Sequence, residues 1–564
     1  MTGNVYLPGF AGRIMSEHLT ALDATFLELE EADESAHMHI GLIMVFDPQP
    51  EGGPPSREEL CQHLASRLRQ LPRYRQRLSE PHTGGLSWPE WEDDPAFDLG
   101  KHVARAALPT PGGHEEMMEW ASGFFSQRLD RHRPLWEMAI VEGLADGRWA
   151  LATKTHHCMV DGVGAIDIGH LLLDTTPDAV STPDATPDAV PGAPPPLSAG
   201  PLARLARAWA GLLPAETMLH AVQMGAHGVL HPREALHSAR SALDIIVREE
   251  LRAAPRTSLN GPIGTRRRFE VVRVPLADLK EIKSSLGGTI NEVVLAVTAS
   301  GLRALLVSRG EALPAGGLRA MVPMNVRAAS EHLALGNRIS SLFVELPVAQ
   351  ADPVRRYCET VALSQALKSD GGQADGTTAV IELAGLAPPV IHATIAQALY
   401  ATRLFNVTVT NVPGPQQTLY AFGTALREVY PLVPLAAEHT VGVAAASYDG
   451  SVFFGVVADR DTVSDLDVLL STLGASVEEL RSAARAEPAD ELVPAVAHDG
   501  VERAQVGPHD RHEGLEHPVA CRVAVAVVDV LEVVDVDERA DEAAVAAPGT
   551  GIEPRTPHSL SCIT

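Results

Sequence analysis

Positive charge is scarce in this 564-residue chain, where 45 Lys and Arg face 72 Asp and Glu for a net charge of −27. Nucleic acid calls for the opposite balance, so a nucleic-acid footprint is excluded, as is general attraction to anionic lipid; only a local basic patch could dock there. Cysteine is sparser still: five residues, at 61, 158, 358, 521 and 562, are odd in number and scattered. That pattern opposes a disulfide framework and suits reduced thiols in the cytoplasm. Nowhere do about 18 apolar residues run uninterrupted, so no membrane span is expected. Residues 1–14 lack a charged stretch followed by an apolar one, which argues against secretion. Cys562 stands third from the C-terminus rather than fourth, so no prenylation box is present. A serine-hydrolase elbow, Gly-x-Ser-x-Gly, is also missing. Aromatics make up only 4% of the chain beside 45% hydrophobic residues, which points to aliphatic, alanine-rich cores spread over about two to four domains.

What is present is a concentrated polar motif, His156-His157-Cys158-Met159-Val160-Asp161-Gly162. It follows Trp149–Thr155, which alternates large and small side chains like a half-buried strand, and precedes Val163–Leu173, which has helical spacing. The motif is therefore expected in a strand-to-helix loop, with His157 at its mouth. A helix N-terminus there disfavours imidazolium and keeps the ring a neutral base, the state needed to activate an alcohol. Asp161 is read as structural, its short carboxylate bonding backbone amides or an arginine, with Arg327 and Arg338 as candidate partners. Gly162 removes the Cβ that would obstruct that turn. A metal site built from His156, His157, Cys158 and Asp161 is set aside, because adjacent histidines point apart and no second ligand cluster appears.

The rest of the chain divides by composition. Residues 175–200 repeat Thr-Pro-Asp-Ala and cannot build a core, so they read as an exposed linker. Residues 201–255 read as a helical crossover. There Leu202, Leu205, Trp209, Leu212 and Leu213 share a face, while Arg204 and Arg207 lie off it, a pattern that suits either packing on the protein or contact with a membrane or lipid-droplet surface. From 256 to 485 strands such as Phe269–Val274, Leu318–Val322 and Leu342–Leu346 alternate with helices such as Asn291–Ser308, which implies α/β layering. A hairpin is expected from Thr440–Ser447 and Ser451–Ala458 around Tyr448-Asp449-Gly450. Residues 486–564 carry 16 acidic against 5 basic residues and no lysine. Despite a Val-rich run at Val519–Val536, no stable fold and no function are expected of this tail.

Over residues 15–485 the chain resembles the bacterial wax ester synthase/diacylglycerol acyltransferase family. The resemblance is carried by Leu19–Phe26 with Met38-His39-Ile40-Gly41, by Asp94–His102, and by Arg131-His132-Arg133-Pro134-Leu135-Trp136-Glu137. It continues through the histidine motif, Leu259–Pro262, Thr289–Leu295, Val322-Pro323, Gly336–Arg338, Asn411–Pro415 and Ser447–Gly450. The first of these segments also marks Met15 as the expected start. The resemblance implies two chloramphenicol-acetyltransferase-like α/β domains, an N-terminal one at 15–174 with the motif and a C-terminal one at 256–485, with the active site in a channel between them. It further implies transfer of a long fatty acyl chain from acyl-CoA to diacylglycerol or a long-chain alcohol, with His157 as base and His156 in support. Where the family has Asn-Asp, this chain has Asn291-Glu292, one methylene longer.

A thioester is already activated, so a base and an oxyanion donor suffice and no cofactor is expected. Asn291 is a candidate oxyanion donor and equally a candidate helix N-cap. Pro134, Leu135 and Trp136 are read either as channel wall, where they would touch substrate, or as core. Arg266, Arg267 and Arg268 form the only dense basic cluster and read as a solvated face. Two other readings stay open. One is a condensation-type acyltransferase served by a carrier protein, and the other is a lipid-surface binding protein of the same fold without turnover.

Overall fold

The computed structural model describes residues 17–68, 71–79, 88–159, 172–177, 253–325, 339–369, 392–393 and 404–486. In chain order its N-terminal elements are β1 (Glu17–His18), α1 (Ala21–Ala32), β2 (His39–Phe46), α2 (Arg57–Arg67), β3 (Gln76–Leu78), β4 (Glu90–Asp93), β5 (Val103–Ala107), α3 (His114–Phe125), β6 (Trp136–Glu142) and β7 (Trp149–His156). After the crossover come β8 (Arg267–Pro275), α4 (Leu276–Leu286), α5 (Ile290–Ser308), β9 (Leu318–Asn325), β10 (Ile339–Leu346), α6 (Pro353–Ser369), β11 (Val407–Pro413), β12 (Tyr420–Ala421), β13 (Thr424–Leu432), β14 (Val441–Tyr448), β15 (Ser451–Asp459) and α7 (Leu466–Ala486). The strands and the helix expected from alternation and helical spacing at 149–155, 269–274, 318–322, 342–346 and 291–308 all lie within these elements.

Two six-stranded sheets result, ordered β12-β13-β2-β7-β6-β5 and β10-β9-β11-β14-β15-β8, beside a small β1-β4-β3 sheet. The hairpin forms as expected: β14 and β15 pair from Val441↔Ala458 to Tyr448↔Ser451. Asp449 and Gly450 both take positive φ, 39° and 77°, as a tight two-residue connection requires.

Strand β13 is the departure. Its sequence falls inside the 256–485 segment, yet it pairs antiparallel with β2 in the N-terminal sheet, from Leu426↔Phe46 to Leu432↔Gly41. Tyr448 at the end of β14 fixes the exit, its hydroxyl accepting from Leu419 N–H at 2.8 Å and donating to Leu426 O at 3.1 Å. Gly455 lets β13 cross β15, because a Cβ there would stand 1.7 Å from Pro431 O. The C-terminal segment is therefore not self-contained; it completes the other half's sheet. Local alternation marks a strand but cannot name its sheet.

Each half has its own apolar core. The C-terminal one includes Val293–Val297, Leu302, Leu305 and Leu306 of α5 against β9, β11, β14 and β15. Among the described residues α5 alone is long and apolar enough to cross a membrane, and most of it is buried in this core. The halves meet where α3 packs on β8. Phe125 and Phe269 make an edge contact at 5.5 Å, and Ser122 and Ser126 accept the backbone N–H groups of Phe269 and Arg267 at 2.9 and 2.8 Å. The linker, most of the helical crossover, and the tail after Ala486 lie outside the described residues.

Candidate active site

Strand β7 ends at His156, and antiparallel pairing with β2 sets it opposite His39. The ladder runs one bond further, with His157 N–H donating to Met38 O at 2.8 Å. On the other edge, His156 N–H donates to Leu135 O at 2.9 Å. Backbone bonds on both sides thus place two adjacent histidines at a strand end, and consecutive side chains there project to opposite faces.

His156 points inward, with 1% of its surface exposed. Its Nε2 lies 2.7 Å from Glu30 Oε2, and its Nδ1 accepts the Cys158 N–H at 3.2 Å. An accepting Nδ1 must be unprotonated, so the proton sits on Nε2 and is donated to Glu30. Glu30 also receives Met38 N–H at 3.2 Å and Arg128 Nε at 3.0 Å. Burial would raise its pKa, but the His156 hydrogen bond and Arg128, with Arg131 nearby, overcome that and hold the carboxyl well below the usual carboxylate range.

His157 points the other way and is half-buried, with Nδ1 enclosed. Its ring stacks on Phe26 at 4.1 Å between centroids and 19° between planes. Phe26 and Glu30 stand one turn apart on α1, so a single helix face holds the outer histidine by stacking and the inner one by charge. That helix starts firmly: Thr20 and Asp23 form a capping box, with each side chain accepting the other's N–H at 3.1 and 3.3 Å.

Behind the pair, the C-terminal turn of α3 is tied down by cation and imidazole. Lys154 is fully buried and donates to Phe124 O at 3.2 Å and Gln127 O at 2.8 Å, with Glu137 as counter-ion at 3.2 Å. His39 Nε2 faces Phe125 O at 3.0 Å and donates to it. These groups satisfy carbonyls that a helix end leaves open. Gly41 admits the Phe125 ring, since a Cβ would stand 2.3 Å from it.

Pro134, Leu135 and Trp136 lie in the core, so the channel-wall reading of them is corrected. Leu135 and Trp136 are 0% and 1% exposed. Trp136 Nε1 donates to Tyr74 O at 2.8 Å, and His102 stacks on its ring at 4.5 Å. The segment's link to the site is the Leu135 carbonyl under His156.

Asn291 is not the N-cap of α5. Thr289 holds that place, in a capping box with Glu292, whose carboxylate accepts Thr289 N–H at 2.7 Å. Asn291, half-buried at the second helical position, makes no hydrogen bond to the histidine pair among the described residues. The basic run is also corrected. Arg266 is exposed and pairs with Asp461, and Arg268 pairs with Asp467 at 2.6 Å, but Arg267 is buried, so the run is a solvated face only in part. Asp161, Gly162, Arg327, Arg338 and the helix expected after His157 lie outside the described residues. Among the described residues no group of three or more His, Cys, Asp or Glu is placed to hold a metal.

Sequence reading missed Phe26, Glu30, Arg128 and Met38 as site residues. Phe26 and Glu30 share i, i+4 spacing, but a lone acid beside Glu28 and Glu31 carries no local sign that it is buried.

Residues 19–294 match the model of the wax ester synthase/diacylglycerol acyltransferase catalytic domain, and residues 335–481 that of the family's C-terminal domain. A probable diacylglycerol O-acyltransferase of Mycobacterium tuberculosis is 34% identical over 473 residues, which span 82% of this chain and 95% of that protein. A second from that organism is 33% identical over 469 residues, 82% of this chain and 98% of that protein. The solved wax ester synthase/diacylglycerol acyltransferase from Marinobacter aquaeolei VT8 superposes with a TM-score of 0.58 at 27% identity, over 83% of this chain and 100% of that one. The first condensation domain of the calcium-dependent antibiotic synthetase shares the fold, with a TM-score of 0.54 at 15% identity over 85% of this chain and 99% of that one. The paired sheets are thus the chloramphenicol-acetyltransferase-like arrangement that the resemblance implied. With both models matched in order and relatives above 30% identity along nearly their whole length, the chain belongs to the wax ester synthase/diacylglycerol acyltransferase family.

Proposed function

We propose that this acyltransferase moves a long-chain acyl group from acyl-CoA to diacylglycerol, forming triacylglycerol, and that it also esterifies long-chain alcohols to wax esters. The observation that carries the mechanism is the division of labour at the end of β7. His156 is spent, both its ring nitrogens engaged between Glu30 and the Cys158 amide. His157 turns to the opposite face, its amide bonded to Met38 O and its half-buried ring stacked on Phe26, and this ring is the one assigned to chemistry.

With Nδ1 enclosed, Nε2 of His157 is the atom that meets the acceptor. It takes the hydroxyl proton as the alcohol oxygen attacks the thioester carbonyl carbon. The tetrahedral oxyanion then collapses, the carbon–sulfur bond breaks, and the proton passes to the departing CoA thiolate. General base catalysis of this kind is worth about 10²- to 10⁴-fold. Asn291 is the proposed side-chain donor to the oxyanion, supported by its release from capping duty. Because the thioester arrives activated, the step calls for no cofactor.

Both substrates carry long apolar chains, which supports work at a surface: a cytoplasmic protein resting on the inner membrane face or on lipid droplets. The test is CoA release from palmitoyl-CoA by purified protein given diacylglycerol or hexadecanol, with product lipids resolved and His157→Ala alongside. Acceptor-dependent release lost in the variant is the expected result. Folded protein that turns over neither acceptor would overturn the reading in favour of a binding protein.

A further inference from the structure

Arg267 opens β8 in the C-terminal half, yet its side chain reaches into the N-terminal one. The guanidinium donates to Ser35 O and to Gly264 O, the latter at 2.6 Å, while its backbone N–H donates to Ser126 Oγ at 2.8 Å. Only 3% of Arg267 is exposed, and Asp459, wholly buried, supplies the counter-charge at 3.8 Å. Asp459 is itself fixed, accepting Gly264 N–H at 2.7 Å and Thr462 N–H at 3.0 Å. A charge held this deeply is costly unless its contacts are made in full, so the Ser35 carbonyl is gripped rather than brushed.

Ser35 begins the short run that ends at Met38. Asp33 Oδ1 accepts both Ser35 N–H and Ser35 Oγ–H, at 2.8 and 2.6 Å, and Ala36 N–H returns to Asp33 O at 3.0 Å, which leaves the run little slack. Met38 is a strap across both histidines. Its N–H donates to Glu30 Oε2, the oxygen that receives His156, and its carbonyl accepts the His157 N–H.

Resting on the acyl-transfer reading above, we propose that Arg267 is a positioning residue: by clamping Ser35 from the C-terminal half it sets where Met38 stands, and so aligns His157 with the thioester. Arg267 touches no reacting atom and moves no proton. Its effect on rate passes through the strap, which makes the second half a part of the catalytic geometry and not only a wall of the channel.

Arg267→Met combined with Asp459→Asn removes both charges together and leaves no lone buried ion. Arg267→Lys keeps the charge but cannot reach Ser35 O and Gly264 O at once. Arg266→Ala, which loses only an exposed pair with Asp461, is the control. The double variant is expected to melt cooperatively and keep the wild-type KM for acyl-CoA while kcat falls about tenfold or more, since a shift of about 1 Å at a reacting group can cost about 100-fold. Arg267→Lys is expected to fall between, and Arg266→Ala to match wild type. Deuterium uptake by the peptide carrying the His157 amide gives a readout independent of turnover, and it rises in the double variant. A folded double variant with wild-type kcat and wild-type amide protection overturns the proposal, as does a loss confined to KM. Should the double variant not fold, Arg267→Lys decides, and wild-type kcat and protection there overturn it. Wild-type protein inactive with every acceptor would sink the acyl-transfer reading instead, leaving amide exchange to judge the clamp.

Discussion

The two halves carry sheets of equal size but bury different chemistry. The N-terminal half sinks Glu30, His37, His39, His102, Lys154 and His156 below the surface; Glu30 pairs with His156, and Lys154 with Glu137. The C-terminal half also buries ionisable groups, Arg267, Glu292, Arg356, His439 and Asp459, but these bond mostly to backbone: Arg356 Nη1 donates to Gln350 O at 2.7 Å, and Asp459 accepts Gly264 N–H at 2.7 Å. Thr298 and Ser300 bond back to the preceding turn of α5 at 2.8 and 3.0 Å, and Asn406 Nδ2 donates to Pro255 O at 2.8 Å. Burying ionisable groups is costly and is sustained only by pairing, so the halves differ in what the pairing holds: a histidine at a strand end in one, chiefly backbone in the other.

Removing the outer histidine breaks the contrast most sharply. His157→Ala is expected to lower kcat about 10²- to 10⁴-fold with little change in melting temperature, because the lost ring is only half-buried. Steady-state CoA release and a thermal melt check it together. Asn291→Ala asks whether the C-terminal half also reaches the chemistry. As an oxyanion donor it is expected to cost about 10²- to 10³-fold in kcat with KM retained; an unchanged kcat would return α5 to scaffolding.

Glu30→Gln tests the inner histidine. The amide cannot match the carboxylate that His156, Met38 and Arg128 share, so His156 loses its fixed tautomer and β7 its tight end. A fall in kcat of about 10- to 100-fold is expected, smaller than for His157→Ala because no reacting atom is removed. The ratio of the two losses measures how far support differs from chemistry within one strand end.

Acid should weaken the protein through its buried histidines, and chiefly in the N-terminal half. Burial, and next the charge of Arg267, lower the His37 pKa from 6.5 to about 4. The sign follows from the depressed folded value: the unfolded chain takes up a proton near pH 6.5 and the folded one only near pH 4, so stability falls as pH drops through that interval. Each such group contributes a slope of about 1.4 kcal/mol per pH unit within its window. His39, His63 and His102 shift the same way, again by burial, whereas His114 shifts upward through its bond to Glu270. Denaturant midpoints at several pH values should show the decline, and His37→Asn should flatten it.

These contrasts were unevenly legible in the sequence. Alternation in Trp149–Thr155 and the Asp449-Gly450 turn are local signals, and both returned the correct element because strand period and turn conformation depend on near neighbours. The two motif histidines fall at the end of that same strand, so their projection to opposite faces is local too. Glu30 was silent, since an acid in an acidic helix looks solvated until His156, 126 residues away in sequence, buries it. Trp136 offered substrate wall and core alike, and only its bond to Tyr74 and its 1% exposure decided for core. Strand β13 looked like its neighbours in sequence and joined the other sheet. Sheet membership is a long-range choice set by Gly455, Tyr448 and the waiting edge of β2, and none of these can be weighed within a local window.

The smallest expected effect bears on the C-terminal half alone. Thr289 caps α5, and Glu292 returns the bond, so two of the N–H groups at the start of an otherwise apolar and buried helix are satisfied within the chain. Thr289→Ala should therefore cost about 1 kcal/mol of stability. Because the cap lies two residues from Asn291, frayed helix and lost donor need separating. Fraying lowers stability and leaves the kcat of the folded protein near wild type, whereas losing the donor lowers kcat and leaves stability intact. Equilibrium unfolding beside steady-state rates on Thr289→Ala and Asn291→Ala would place the boundary between scaffold and active site within a single turn of α5.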